Sequence, residues 1–194
     1  MFSEQEKNKI TETLINGGVI AFVTDTVWGL GCLPDNENAV KKIYDIKKRE
    51  AKKPLILMSN EIYNLFPYVK PIPMKVQRVI KQHFPGALTV VLEKSVETPD
   101  YITSGMNTVG IRVPNNDVFA EICECVPNKV LATTSANISN EPPSLTYEDT
   151  MASVGDVVDY VVRDYGHKSS GLASTVAGFV DDDIKIFRQG SVIL

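Results

Sequence analysis

Val19-Ile20-Ala21-Phe22-Val23 runs without a break into Thr24-Asp25-Thr26-Val27-Trp28-Gly29-Leu30-Gly31. The five apolar residues read as a core strand and fall far short of the ~20 needed to cross a bilayer. Thr24 to Gly31 then form a loop with two hydroxyls, a carboxylate, an aromatic ring and two glycines at the strand's carboxyl end. Ligand sites of open sheets commonly lie at such edges, where side chains reach a crevice without disturbing the ladder. A hairpin turn with threonines as strand formers explains the same residues, and the segment alone leaves both readings open. Gly29-x-Gly31 is not a dinucleotide fingerprint, because Pro34 stands where the third glycine belongs and no helix opens there. No phosphate loop of the Walker type occurs anywhere in the chain, so a nucleotide would be held by another device.

Working outward, 194 residues with 43% apolar content suffice to bury a real core. No linker, internal repeat or low-complexity run divides the chain, which favours one domain over residues 1–194. Met1-Phe2-Ser3-Glu4 lacks the basic start of a secretory signal, so a soluble, cytoplasmic protein is expected, with no membrane partner. Cys32, Cys123 and Cys125 are odd in number and lack metal spacing, and only His83 and His167 are available, so no metal site is expected and the thiols should be reduced. The net charge of −4 argues against a general nucleic-acid coat, though not against a local basic cleft.

Such a cleft is suggested by Ile46-Lys47-Lys48-Arg49-Glu50-Ala51-Lys52-Lys53-Pro54-Leu55, in which five of ten side chains are cations. Val40, Ile43 and Tyr44 place a helix before it, so Lys47, Lys48 and Arg49 fall in the last turn, where the helix dipole favours positive charge. That reading needs no ligand. The buried strand at Pro54-Leu55-Ile56-Leu57-Met58, however, pins the loop against the core and makes an anion site of it.

Helices are expected from a capping box at Ser3 and Glu6, from Ser59 with Ile62 and Leu65 inward, from about Met74, after Asn116 or Asp117, and around Tyr147–Met151. Strands are expected at Ala87–Leu92, Thr108–Pro114, Val130–Thr134, Tyr160–Arg163, Ala173–Ala177 and Ile184–Gly190. Thr108, Gly110, Arg112 and Pro114 share one face of their strand. A mid-strand arginine either closes an ion pair or grips a carboxylate or phosphate with parallel hydrogen bonds. Asp164–Gly171 reads as a mobile loop, with His167 only a loop residue. Helices and strands interleave, yet several strand pairs are too close for a helical crossover, so the sheet must be mixed and the fold α+β.

Taken in order, Gly18 to Leu30, Lys47-x-Arg49, Pro85-Gly86-x-x-Thr89, Arg112-Val113-Pro114, Ser135-Ala136-Asn137, Ser174-Thr175-Val176 and Arg188-x-Gly190 resemble the YrdC/Sua5 family of threonylcarbamoyl-AMP synthases. The resemblance implies a single YrdC-like domain, a twisted mixed sheet flanked by helices around a basic cleft. It also implies an enzyme that makes L-threonylcarbamoyladenylate from L-threonine, bicarbonate or CO2, and ATP, with release of pyrophosphate. That product is the donor for N6-threonylcarbamoylation of adenosine 37 in tRNA, performed by a separate transferase complex. By family match the catalytic residues are Lys47, Arg49, Ser135 and Asn137, and Lys53, Thr108, Pro143 and Arg188 join them around ATP. Thr26, Arg112, Thr133 and Ser174 surround threonine, with Arg112 on its carboxylate. Mg2+ is expected only as the companion of ATP. Asp25 is a helper or, more in keeping with its type, a structural residue.

Four positions depart from the family pattern. Val23, Trp28, Met58 and Asn140 stand where proline, tyrosine, histidine and glycine are usual, which reshapes the amino-acid pocket more than the nucleotide site. A second reading, from a different class, is a YrdC-fold module that binds tRNA or double-stranded RNA without this chemistry. A third, carbamoyl-phosphate chemistry, belongs to larger chains with zinc-finger and acylphosphatase parts that this sequence does not show.

Overall fold

A computed structural model describes residues 2–48, 53–139, 141–180 and 183–194. The chain opens with helix α1 (Glu4–Ile15), started by the expected capping box and turning Ile10 and Leu14 into the core. Strands β1 (Ile20–Phe22) and β2 (Gly29–Cys32) come next, then α2 (Glu37–Ile46), capped by Asn36. The middle of the chain holds β3 (Ile56–Ser59), a 3-10 helix over Ile62–Tyr68, α3 (Met74–His83), β4 (Leu88–Glu93) and the single turn α4 (Asp100–Thr103). Then come β5 (Thr108–Arg112), α5 (Asp117–Glu124), β6 (Val130–Ser135), α6 (Tyr147–Val154), β7 (Tyr160–Val161), β8 (Thr175–Val180) and β9 (Asp183–Arg188).

These strands form one mixed nine-stranded sheet in the order β7-β1-β2-β6-β3-β5-β4-β8-β9. Three pairings are parallel (β1 with β7, β3 with β5, β4 with β8) and the rest antiparallel. Chain order and sheet order disagree almost everywhere, so loops from distant parts of the sequence meet at shared edges. β1 and β2 pair antiparallel with Phe22 opposite Gly29, so Val23–Trp28 is a hairpin connection, and Thr24 and Trp28 within it also wall a cavity. Hairpin and ligand loop are thus the same segment. The glycines have a packing cause, since a side chain at Gly29 or Gly31 would start 3.0 or 2.8 Å from the Phe22 ring.

Three expectations need correction. Ser59 ends β3 instead of starting a helix, because its hydroxyl donates to Lys129 O at 2.6 Å across the β3–β6 edge. The next helix is of the tighter 3-10 type and contains Pro67, which has no N–H for an α-helical ladder. Asp164–Gly171 is strapped to the β1–β2 loop: Ser169 Oγ donates to Thr24 O, Ser170 N to Asp25 O and Gly171 N to Thr26 O, at 3.0, 3.1 and 2.9 Å. Its polar composition suggested solvent, but the hydroxyls and main-chain donors find acceptors in the protein.

Among the described residues no helix is long and apolar enough to cross a membrane. All three cysteines are free thiols, and burial pushes Cys32 up to about 12.

The start of β1 is held by Asp159, which accepts from Val19 N and from Lys42 Nζ, each at 2.6 Å. Burial works to raise this carboxyl, but the hydrogen bonds from Lys42 and Val19 outweigh it and hold it below its ordinary value. A depressed carboxylate contributes stability above its unfolded pKa and loses it as pH falls through the folded one. Urea midpoints should therefore drop more between pH 6 and about pH 3 for the parent than for Asp159→Asn. Lys42 is partly solvated, so 1 M salt should shrink that difference.

Candidate active site

Arg112, the last residue of β5, ends 4% exposed with its guanidinium held on three sides. Nε donates to Gly86 O at 3.0 Å, Nη1 to Thr26 Oγ1 at 2.8 Å and Nη2 to Asp25 Oδ1 at 2.6 Å. Thr24 keeps Thr26 in place, since their hydroxyl oxygens are 3.0 Å apart and Thr24 Oγ1 donates to Val27 O. A guanidinium has five N–H donors, so two remain without a partner among the described residues and are available to an arriving anion. Asp25 is thus the counter-ion that offsets the burial of this arginine, which makes its role structural.

Arg188 closes the other side. Its Nε and Nη2 bracket Ser174 O at 3.2 and 2.9 Å, and Nη2 also reaches Ser174 Oγ, whose oxygen lies 2.8 Å from Thr89 Oγ1. Burial is the chief force lowering both arginines; for Arg112 the Asp25 carboxylate opposes it while Arg188 adds like-charge repulsion. Two guanidiniums face one carboxylate, leaving the site electropositive. A cavity of about 340 Å³ opens between these groups, lined by Thr26, Lys53, Arg112, Thr133, Ser135, Ser174 and Arg188 together with Thr24, Trp28, Met58 and Thr89.

A second network organises the turn after β6. Lys47, the C-cap of α2, is 2% exposed and points its ammonium at Ser135 O, Asn137 O and Asn137 Oδ1, at 2.6, 2.8 and 2.8 Å. Ser135 Oγ donates to the same Asn137 Oδ1 at 2.6 Å, Asn137 Nδ2 donates to Glu141 O, and Ser139 N donates to Lys47 O. The ammonium's three protons are shared among Ser135 O, Asn137 O, Asn137 Oδ1 and Ser135 Oγ, the last of which lies 3.5 Å away. Lys47 therefore holds the Ser135–Asn137 turn from beneath and is not among the residues that line the cavity.

Other expected residues fall elsewhere. Thr108 shares a face with Arg112, but four residues at ~3.3 Å each put it at the far end of β5, where it borders a separate hollow with Val69, Glu93 and Lys94. It is therefore not part of the Arg112 cavity. Asn137 and Pro143 lie beside the cavity without lining it; next to Pro143, Ser144 O accepts from Trp28 N and Ser144 N donates to Ala136 O. Arg49 and Asn140 lie outside the described residues. Trp28 is fully buried, edge-on to Tyr147 with ring centroids 6.0 Å apart, and Val23 is buried too. Thr24, Thr89 and Gly86 O had no assigned role in the sequence, although Pro85-Gly86-x-x-Thr89 carried the signal. No group of three or more potential metal ligands occurs among the described residues.

The family model of Sua5, YciO and YrdC proteins, described as telomere recombination, matches residues 12–190. The chain belongs to this family. A Methanocaldococcus jannaschii relative of this Sua5/YciO/YrdC chain is 35% identical over 197 residues, covering 98% of this chain and 90% of its own. The threonylcarbamoyl-AMP synthase of Enterobacter sp. strain 638 is 34% identical over 183 residues, covering 92% and 93%. Pyrococcus abyssi Sua5, crystallised with L-threonine, superposes with a TM-score of 0.91 at 30% identity over 98% of this chain; this chain spans 55% of that one. The YrdC-like fold is shared with E. coli YciO, at a TM-score of 0.85 and 24% identity over 97% of this chain and 91% of that one.

Replacing Lys47 by Met keeps most of the buried volume but strands the oxygens that the ammonium now satisfies. Lys47→Met should lower unfolding stability by roughly 2 kcal/mol in urea titrations, while near-ultraviolet circular dichroism still reports a packed core.

Proposed function

We propose that this chain is a threonylcarbamoyl-AMP synthase, which joins L-threonine, inorganic carbon and ATP into L-threonylcarbamoyladenylate and pyrophosphate, the first step of tRNA adenosine-37 threonylcarbamoylation. The adenylate then passes to a separate transferase complex. One observation carries the reading: a single cavity has Arg112, Thr26, Ser174 and Arg188 in its walls together with Lys53 and Ser135, so cationic and hydroxyl groups suited to a carboxylate and to phosphates face one space. Family membership and relatives named for this activity support it.

The chemistry asks little of the protein beyond placement. Threonine's neutral amine attacks the carbon of CO2, forming a C–N bond and releasing a proton. An oxygen of the resulting carbamate then attacks the α-phosphorus of ATP, and the bond to the bridging α–β oxygen breaks, so that pyrophosphate leaves. If bicarbonate supplies the carbon, its C–OH oxygen leaves as water. No covalent enzyme intermediate is needed, and no histidine-supported nucleophile faces the cavity. The two remaining N–H groups of Arg112 would grip the threonine carboxylate, with Thr26, Thr133 and Ser174 around the rest of the molecule. Lys53, Ser135 and Arg188 would bind the phosphates or ribose, with Asn137, Pro143 and Arg49 beside them. Lys47 would act through the turn it holds, its charge lying just beneath. Mg2+ would enter as part of the ATP complex; the residues present offer hydroxyls and cations to the nucleotide, not a carboxylate cage for a metal.

Pyrophosphate release from MgATP and bicarbonate should require L-threonine. Arg112→Lys, which keeps the charge but loses the fork, should raise the KM for threonine by about tenfold or more while moving the KM for ATP little. Ser135→Ala and Arg49→Ala should each lower kcat/KM for ATP by about a hundredfold. Release indifferent to threonine, or untouched by these changes in folded variants, would sink the assignment.

A further inference from the structure

Between Glu61 and Glu93 the chain carries no Asp or Glu, yet it has Lys70, Lys75, Arg78 and Lys81, a positive island in a protein of net charge −4. The fold turns this island into a groove between the 3-10 helix and α3, of about 880 Å³. Its floor is aliphatic, built from Ile62, Val69, Ile72 and Ile80, and it shares no lining residue with the Arg112 cavity. Along one rim Tyr63 and Phe66 stand 71% and 44% exposed, their rings edge to face at 86° with centroids 5.5 Å apart. Single exposed aromatics are ordinary, but a stacked pair on the lip of an apolar groove makes a continuous patch of the kind that partners cover.

The opposite rim is cationic. Gln77 and Lys81 line it, and Arg78 lies about 60° further around α3 at 100° per residue. Lys70 is paired with Glu93, whereas Arg78 and Lys81 have no ion-pair partner among the described residues. The net positive rim therefore asks for anionic groups beside an apolar insert.

We propose that this groove docks a short amphipathic helix of a partner protein, with large apolar side chains at i, i+3 or i+4, and i+7 seated on the floor and acidic residues flanking them against Lys81 and Arg78. Helices border the groove and, among the described residues, no open strand edge faces it, which favours a helix laid into a groove over strand addition. An aliphatic floor offers a sugar-phosphate backbone nothing to bond, which favours a peptide over nucleic acid.

A fluorescein-labelled helical peptide of about 14 residues, leucines on one face and glutamates on its flanks, should bind the full chain in anisotropy titrations. It should bind at least about tenfold tighter than the same peptide with lysines for glutamates. Arg78→Glu with Lys81→Glu, and separately Tyr63→Ser with Phe66→Ser, should each weaken it by about tenfold or more. Threonine-dependent pyrophosphate release should be unchanged in both. Equal binding of the two peptides, full affinity in either double variant, or tighter binding of a single-stranded 12-mer oligonucleotide would overturn the proposal. If the peptide binds as expected but pyrophosphate release fails in the parent, the enzymatic reading falls and this one stands.

Discussion

The buried guanidinium of Arg112 is the constraint on which the site depends. It sits at the end of β5 and ties together Asp25 and Thr26 from the β1–β2 loop and Gly86 from the approach to β4. Removing a charge of this kind from water is costly, and the fold offsets the cost with one carboxylate and two neutral acceptors. The carboxylate is single while Arg188 approaches from β9, so the compensation stops short of neutrality. A site kept slightly positive by its own framework is prepared for an anion before any arrives, which is the useful state for binding carboxylate and phosphate together.

The second network has the opposite design. Lys47 points its ammonium at the turn after β6, and that turn has Ser135 in the cavity wall. Two basic residues that look alike in the sequence thus sit differently: Arg112 keeps two N–H groups without a partner among the described residues, whereas Lys47 is directed into the turn that carries Ser135. Geometry explains the division, because a three-proton ammonium can be exhausted by one tight turn, while a five-proton fork anchored on three sides retains two.

Both networks join pieces that sheet order makes neighbours. β6 lies between β2 and β3, so the Ser135 turn meets the Trp28 loop and the end of α2; β4 lies between β5 and β8, so Gly86 meets Arg112 on one side and Thr89 meets Ser174 on the other. Trp28 exchanges main-chain hydrogen bonds with Ala136 and Ser144, which locks one loop to the other. The strap at Ser169–Gly171 then fastens the β1–β2 loop from outside. The basic groove beside α3 stands apart from this system, and its chemistry is that of a surface for association.

Helix α1, the strand character of Ile20–Phe22, the cap at Asn116 and the mixed sheet were all legible in the sequence, because each follows from periodicity and capping chemistry within a few residues. Arg112 also stood out, as a mid-strand arginine that must find an anionic or polar partner, and it does in Asp25. The identity of such partners was not legible: Asp25 lies 87 positions from Arg112 and Asn137 lies 90 from Lys47, and nothing local encodes such contacts. Thr108 shows the same limit from the other side, since alternation correctly gave its face but not how far along β5 the cavity reaches. The sequence by itself determined most of the helices and strands and which side chains are chemically unusual. The tertiary structure alone decided which of those charges are committed to the framework and which face a ligand, because burial and hydrogen-bond saturation are set by neighbours that only folding brings together.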